Sequence, residues 1–234
     1  MTFLTPFVNL TGPMRAQRRV TCALVSGGLD SAILVSRLLR TGGSVFPLYV
    51  RCGFVWEAAE LAWLRRFLRA TRSSRLLPLR VVAIPLRSVY TTHWSLTGRG
   101  VPGARSADTA VYLPGRNVLL LSVAAIVAAQ HGIATIALGV LAGNPFGDAT
   151  PRFFRTLAQS LTRALDRPVR LEAPLRQMSK RSLIRSATTA PLGLTFSCLR
   201  PRGRQHCGRC NKCAERRSAF RQAGLADPTL YVHG

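Results

Sequence analysis

Hydrophobic positions along the chain alternate between two patterns. Short continuous apolar runs bounded by turn residues predict buried strands; runs with apolar positions three and four apart predict helices. Residues 20–25 form the first apolar run, broken by Ser26-Gly27-Gly28. Residues 29–39 have helical spacing and stop at Thr41-Gly42-Gly43, and 44–50 predict a second strand. Residues 56–69 place Leu61, Leu64 and Leu68 at helical intervals, and 79–84 predict a third strand. Residues 93–108 form a Gly-, Ser- and Arg-rich loop, longer than ordinary connections. Beyond it, 117–130 predict an apolar helix, 134–139 a strand, 151–165 an amphipathic helix, 169–173 a strand and 179–186 a helix. From Phe196 onward cysteines, glycines and basic residues take over.

Strands alternating with helices imply an α/β fold: a parallel sheet with helices on both faces. In such sheets ligands bind beyond the carboxyl ends of the strands, where Ser26-Gly27-Gly28 falls. The expected organisation is a loose arm at 1–19, an α/β domain at 20–190, and a C-terminal metal-binding segment at 191–234 packed on it.

The 234 residues include 33 Lys+Arg against 9 Asp+Glu, a formal net charge of +24. Only Lys180 and Lys212 among the basic residues are lysines. A field of this sign attracts nucleotides, phosphates and RNA. The arginines are scattered, with no dense basic tract, so charge alone does not make the chain a nucleic-acid binder. With 47% hydrophobic and 18% charged residues, an intrinsically disordered chain is excluded. No basic region followed by an apolar one opens the sequence, and the most apolar stretch, 118–129, is too short to span a bilayer. The expectation is a soluble cytoplasmic protein with no membrane partner. Thiols stay reduced there, so six cysteines suggest metal before disulfides.

The segment Leu24-Val25-Ser26-Gly27-Gly28-Leu29-Asp30-Ser31 lies between a predicted strand and a predicted helix. Two glycines let backbone N–H groups approach an anion, and the helix directs its positive end at the same place. Ser26 and Ser31 add hydroxyl donors. A carboxylate at Asp30 fits this anion site if it holds Mg²⁺ bridging phosphate oxygens. Neither GxxxxGK[ST] nor GxGxxG occurs in the chain. SGGxDS after a strand is instead similar to the loop of PP-loop ATP pyrophosphatases. An ordinary Ser-Gly-Gly turn with a capping Asp or Ser is the alternative.

Cys198, Cys207, Cys210 and Cys213 are spaced C-x8-C-x2-C-x2-C. Four thiolates close a tetrahedron around Zn²⁺ and leave no open position, so the ion would be structural. Gly208 relieves the turn between two of them. An iron–sulfur cluster also takes four cysteines. His206 adjoins Cys207 as a substitute ligand, with solvent exposure its other expected fate. Cys22 and Cys52 are expected as small core residues.

Together these motifs resemble the 7-cyano-7-deazaguanine synthase family over about residues 20–220. The resemblance rests on Ser26–Ser31, Leu113-Pro114-Gly115-Arg116-Asn117, Asp148-Ala149-Thr150-Pro151-Arg152-Phe153, Ser179-Lys180, Thr195-Phe196-Ser197-Cys198 and the Cys-Gly-x-Cys-x-x-Cys triplet. The chain departs at Arg51–Glu57, where the family has Tyr-Gly-Gln-Arg-His, and at Ala149, where it has cysteine. The resemblance implies a Rossmann-like, adenine nucleotide alpha hydrolase-like sheet. It also implies conversion of 7-carboxy-7-deazaguanine, ammonia and ATP to the 7-cyano base, a step towards queuosine.

ATP would activate the carboxylate as an acyl adenylate, ammonia would displace AMP, and a second activation would convert the amide to the nitrile. By the same resemblance, Leu24 to Ser31 would hold the pyrophosphate portion, Asp30 Mg²⁺, and Lys180 a phosphate. Arg116 and Asn117 would face nucleotide or base. Asp148 would accept from the guanine-like edge. Glu57 or Glu60 would help bind metal or ammonium unless they occupy a solvated helix face. His93 and Trp94 would cover the pocket or join the core. The expected partners are a deazaguanine base and ammonia, with a nucleic acid allowed but not required, and the expected assembly is a homodimer. Two alternatives stand beside this: a PP-loop enzyme adenylating a tRNA base or a deazaguanine-modified macromolecule, and a non-enzymatic zinc module binding nucleic acid.

Overall fold

Five parallel strands lie in the order β3-β2-β1-β4-β5. They are β1 (Val20–Leu24), β2 (Ser44–Arg51), β3 (Arg80–Ala83), β4 (Thr135–Ala137) and β5 (Arg170–Glu172). The computed structural model describes residues 19–187 and 189–233, so the expected arm, apart from Arg19, lies outside the described residues. β1 pairs with β2 from Val20↔Ser44 to Leu24↔Leu48 and, on its other side, with β4 from Thr21↔Thr135 to Ala23↔Ala137. The chain order reverses between β1 and β4, so a crevice opens at their carboxyl ends.

Alternation along β1 and β2 divides the core between two faces. Cys22 and Leu24, with Phe46, Leu48 and Val50, pack against α5 (Arg116–Gln130) and α6 (Pro151–Leu165). Ala23, Val25, Val45 and Tyr49 face α1 (Leu29–Arg40) and α2 (Glu57–Ala70). Every β1 residue from Cys22 on is buried, which explains why this strand reads as continuously apolar rather than alternating. Cys22 and Cys52 are core residues, both fully buried.

Local chemistry sets the helix starts. Gly115, at φ +71°, turns the chain into α5, a conformation that costs a side-chain-bearing residue energy. Pro151 occupies the first turn of α6, and Thr150 Oγ1 accepts from Phe153 N at 3.2 Å. Ser179 Oγ likewise accepts from Ser182 N at 3.1 Å to begin α7 (Lys180–Ser186).

The expected loop at 93–108 is not free. After the short helix α3 (Arg87–Tyr90) comes another, α4 (Trp94–Thr97). The loop then docks on the cysteine segment: Ala104 N donates to Arg209 O, Asn211 N to Pro102 O, and Asn211 Nδ2 to Ser106 O at 2.8 Å. Its length lets it reach this surface, and these bonds satisfy its backbone.

The last helix, α8 (Asn211–Ala223), shares a core with α1 and α7 through Leu29, Ile184, Ala219 and Phe220. Its Arg216 is 1% exposed. The guanidinium donates to Thr195 Oγ1 at 2.7 Å and Leu192 O at 3.0 Å, and pairs with Asp227 at 3.3 Å. One buried cation thus ties α8 to the Leu192–Thr195 turn before it and to Asp227 after it. Among the described residues, no helix is long and apolar enough to cross a membrane.

Arg216→Ala should destabilise the fold by about 3–5 kcal/mol, since it leaves Asp227 without its buried partner. Denaturant unfolding checks this; a loss below about 1 kcal/mol, the size of an exposed ion pair, would refute the latch role.

Candidate active site

At the end of β1 the chain bends through Ser26-Gly27-Gly28 into α1. Gly27 has φ +78°, and a Cβ there would lie 3.2 Å from both Glu60 O and Leu64 Cβ. Only glycine lets the loop pass this close to α2. Ser31 Oγ donates to Gly28 O at 3.1 Å and accepts from Ser26 N at 3.2 Å, while Ser26 Oγ accepts from Gly28 N at 3.3 Å. These bonds hold the loop open towards the crevice. Phe196 N donates to Gly27 O at 2.8 Å, fastening the C-terminal segment to the same turn. Across the crevice, Gly139 follows β4, and a Cβ on it would stand 3.1 Å from the Asp30 backbone.

Asp30 opens into the crevice beside Lys180. Lys180 Nζ lies 2.7 and 2.9 Å from the two Asp30 oxygens and 3.0 Å from Glu215 Oε1. Glu215 Oε2 receives Lys212 Nζ in turn. Burial works against the Lys180 ammonium, but Asp30 and Glu215 outweigh it and hold its pKa above the ordinary lysine value. Burial likewise opposes ionisation of Glu215, and the two lysines overcome it, holding the carboxyl down at about 2. The four side chains come from α1, α7 and α8.

The crevice is a cavity of about 350 Å³. The serine–glycine loop and the Asp30–Lys180–Glu215–Lys212 group form its polar wall. Phe54, Trp56 and Trp94 form an aromatic wall, with ring centroids 4.9 Å apart for Phe54–Trp56 and 5.7 Å for Trp56–Trp94. Arg116, Asn117 and Glu60 complete it. Tyr49 Oη donates to Glu60 Oε2 at 2.6 Å. Burial pushes the Glu60 carboxyl up to about 8; Glu57 pushes the same way, while the Tyr49 bond and Arg116 oppose it.

The four cysteines flank this cavity from behind. Cys198, Cys207, Cys210 and Cys213 are all buried, and their sulfurs lie within 4.8 Å of one another. Backbone N–H groups of Leu199, Arg200, Cys207 and Arg209 point at these sulfurs at 3.3–3.4 Å. That environment favours thiolates and fits a tetrahedral thiophilic ion. Gly208, at φ +78°, makes the turn between ligands, and a Cβ there would collide with the His233 carbonyl.

A family model described as the queuosine biosynthesis protein QueC matches residues 20–224. The chain belongs to the QueC family. Its relatives include a 7-cyano-7-deazaguanine synthase of Methanothrix thermoacetophila, 34% identical over 92% of this chain and 99% of the relative. Another, from Anaeromyxobacter dehalogenans, is 35% identical over 93% and 97%. The crystal structure of a 4-thiouridine synthetase–RNA complex with bound ATP is similar in fold, with TM-score 0.51 and 18% identity over 88% of this chain and 50% of that one.

In this QueC-family chain the residues expected at the nucleotide converge: Leu24 to Ser31 apart from Gly27, with Arg116, Asn117 and Lys180, line one cavity. Two residues expected at the substrate have other partners in this structure. Asp148 is absent from the cavity wall, and its Oδ2 accepts from Asn117 N at 3.1 Å at the start of α5. Glu57 is neither in the cavity wall nor on a solvated face: it is 3% exposed and accepts from the backbone N–H groups of Cys52 and Gly53. The next acid along the helix, Glu60, reaches the cavity instead. His206 is neither exposed nor among the clustered ligands. Its Nε2 accepts from Ser197 N at 3.1 Å, and burial, helped by the Arg216 charge, pushes its pKa down to about 4.

Sequence reasoning passed over Glu215, Lys212 and Arg216. The scarcity of lysines and acids was the available signal, because Lys212 and Glu215 are three apart at helical spacing.

Glu60 supplies a pH test. The folded chain keeps its proton up to about pH 8, whereas a carboxyl at its ordinary value of 4.5 loses it far earlier. Folding therefore takes up a proton between those values, and stability falls as pH rises through them. The melting temperature of the wild type relative to Glu60→Gln should drop from about pH 5 to about pH 8.5. A constant difference between the two proteins would rule out the raised carboxyl.

Proposed function

We propose that this chain converts 7-carboxy-7-deazaguanine, ammonia and ATP to 7-cyano-7-deazaguanine. Family membership over residues 20–224 supports the reaction. The single structural observation that carries it is that the serine–glycine loop and the Lys180–Asp30 pair line one cavity. In the first round the substrate carboxylate attacks the α-phosphorus of ATP, forming an acyl adenylate and releasing pyrophosphate. Ammonia adds to the acyl carbon and AMP leaves, giving the amide after loss of a proton. In the second round the amide oxygen attacks the α-phosphorus of a second ATP, releasing pyrophosphate and one N–H proton, and AMP then departs as the other N–H proton is lost and the C≡N bond forms.

Each residue has a part in this scheme. Backbone N–H groups of the loop and the α1 N-terminus would bind phosphate oxygens. Lys180 would carry a compact positive charge to the departing pyrophosphate. Asp30 would hold Mg²⁺, which neutralises phosphate charge when bound; its half-exposed carboxylate inside the cavity suits that ion. The Phe54–Trp56–Trp94 wall would stack the flat heterocycle, and Arg116 would sit beside it or the nucleotide. Phe54 and Trp56 of this wall stand where the chain departs from the family's Tyr-Gly-Gln-Arg-His pattern, and Trp94 joins them from α4. Cys198, Cys207, Cys210 and Cys213 would hold one structural Zn²⁺, fixing the wall of the cavity rather than taking part in the chemistry.

Purified protein given Mg-ATP, ammonium and 7-carboxy-7-deazaguanine should release AMP and form the nitrile, seen by mass spectrometry. Asp30→Asn should lower the rate by about 100-fold or more. ATP binding without AMP or nitrile would overturn the substrate assignment while leaving the fold intact. Metal analysis should find one zinc per chain, lost in Cys210→Ser together with much of the thermal stability; full stability without metal would refute the structural role.

A further inference from the structure

Among 33 Lys+Arg, the two lysines stand out because both end on the same carboxylate. Lys180 Nζ lies 3.0 Å from Glu215 Oε1, and Lys212 Nζ bonds Glu215 Oε2. Both line the same cavity as the serine–glycine loop. Scattered arginines satisfy the rest of the chain's need for positive charge. Lysine is kept at the two places where an ammonium reaches the nucleotide cavity.

We infer that Lys212 is a second ammonium for the pyrophosphate portion of ATP, held between turnovers by Glu215. This rests on the proposed ATP reaction and adds a residue to it. The four charges of Asp30, Lys180, Glu215 and Lys212 cancel, so two ammoniums can stand close together without a bound anion. An arriving phosphate oxygen competes with Glu215 for both. An ammonium has three donors and can keep one bond to Glu215 while giving another to phosphate. A guanidinium holds its donors in one rigid plane, whereas an ammonium turns freely to meet two oxygens outside such a plane.

The backbone placement points the same way. Lys212 lies in the first turn of α8 between Cys210 and Cys213, so two members of the cysteine cluster fix its position. Asn211, beside it, is tied to the 93–108 loop by its backbone N–H and its side chain. An ordinary i,i+3 surface pair would not need such support.

The test is calorimetric titration of the full-length, zinc-loaded protein with inorganic pyrophosphate and, separately, AMP. Lys212→Gln should weaken pyrophosphate binding by about tenfold or more, with AMP affinity held within about twofold. Lys212→Arg should also weaken it. Glu215→Gln should act in the opposite direction, tightening pyrophosphate binding several-fold, because it removes the competitor for both ammoniums. A merely structural pair predicts loss in both variants, and that result would overturn the inference, as would unchanged binding in Lys212→Gln. Metal content is measured in each variant; should Lys212→Gln lose zinc, the sign of the Glu215→Gln effect decides. A wild type that binds pyrophosphate but releases no AMP with the deazaguanine substrate sinks the proposed reaction and leaves the role of Lys212 standing. A wild type that does not bind pyrophosphate sinks both.

Discussion

Lys180 joins three distant parts of the chain through one nitrogen. It bonds Asp30 on α1 at 2.7 Å and Glu215 on α8 at 3.0 Å, while its own helix, α7, packs between them. Without it, two carboxylates would face one another in a half-buried crevice, which would force one to protonate or the helices to separate. With it, the switch-point crevice between β1 and β4 acquires a wall of defined charge. The serine–glycine loop, Gly139 and the C-terminal helix can then approach within a few ångströms.

Much of this was legible from residue order. Each strand and each principal helix up to α7 matches its predicted position within a few residues, because parallel strands buried on both faces leave continuous apolar runs that helices between them do not; α8 was not predicted, since its cysteines and charges mask any apolar stripe. The serine–glycine turn was equally plain, since two glycines and two serines fall between a predicted strand and a predicted helix, where the structure has them. The cysteine cluster could be read from spacing alone.

The failures have a common physical cause: sequence shows which side chains are scarce, not where they point. Glu57 and Glu60 are three apart, yet one caps the β2–α2 turn while the other enters the cavity. That distinction depends on the rotation of α2 against β2, which is set by Leu64 and Phe67 in the core. Asp148 was expected to meet the substrate but turns to the N–H of Asn117, thirty-one residues earlier. His206, polar and flanked by charged and small residues in sequence, is enclosed by Phe196, Trp63 and Tyr231. Nothing local announces that enclosure, because its walls come from three different segments.

The composition of the crevice has a consequence for the order in which the molecule is made. Asp30 and Lys180 are 150 residues apart, and Glu215 lies beyond both. The sheet can form from the emerging chain, but the charged wall cannot balance until α8 has left the ribosome and folded back on α7. During that interval Asp30 lacks the full set of partners that hold it in place, and the loop turn lacks its bond to Phe196. Competence therefore waits for α8 and arrives when that helix closes on α7.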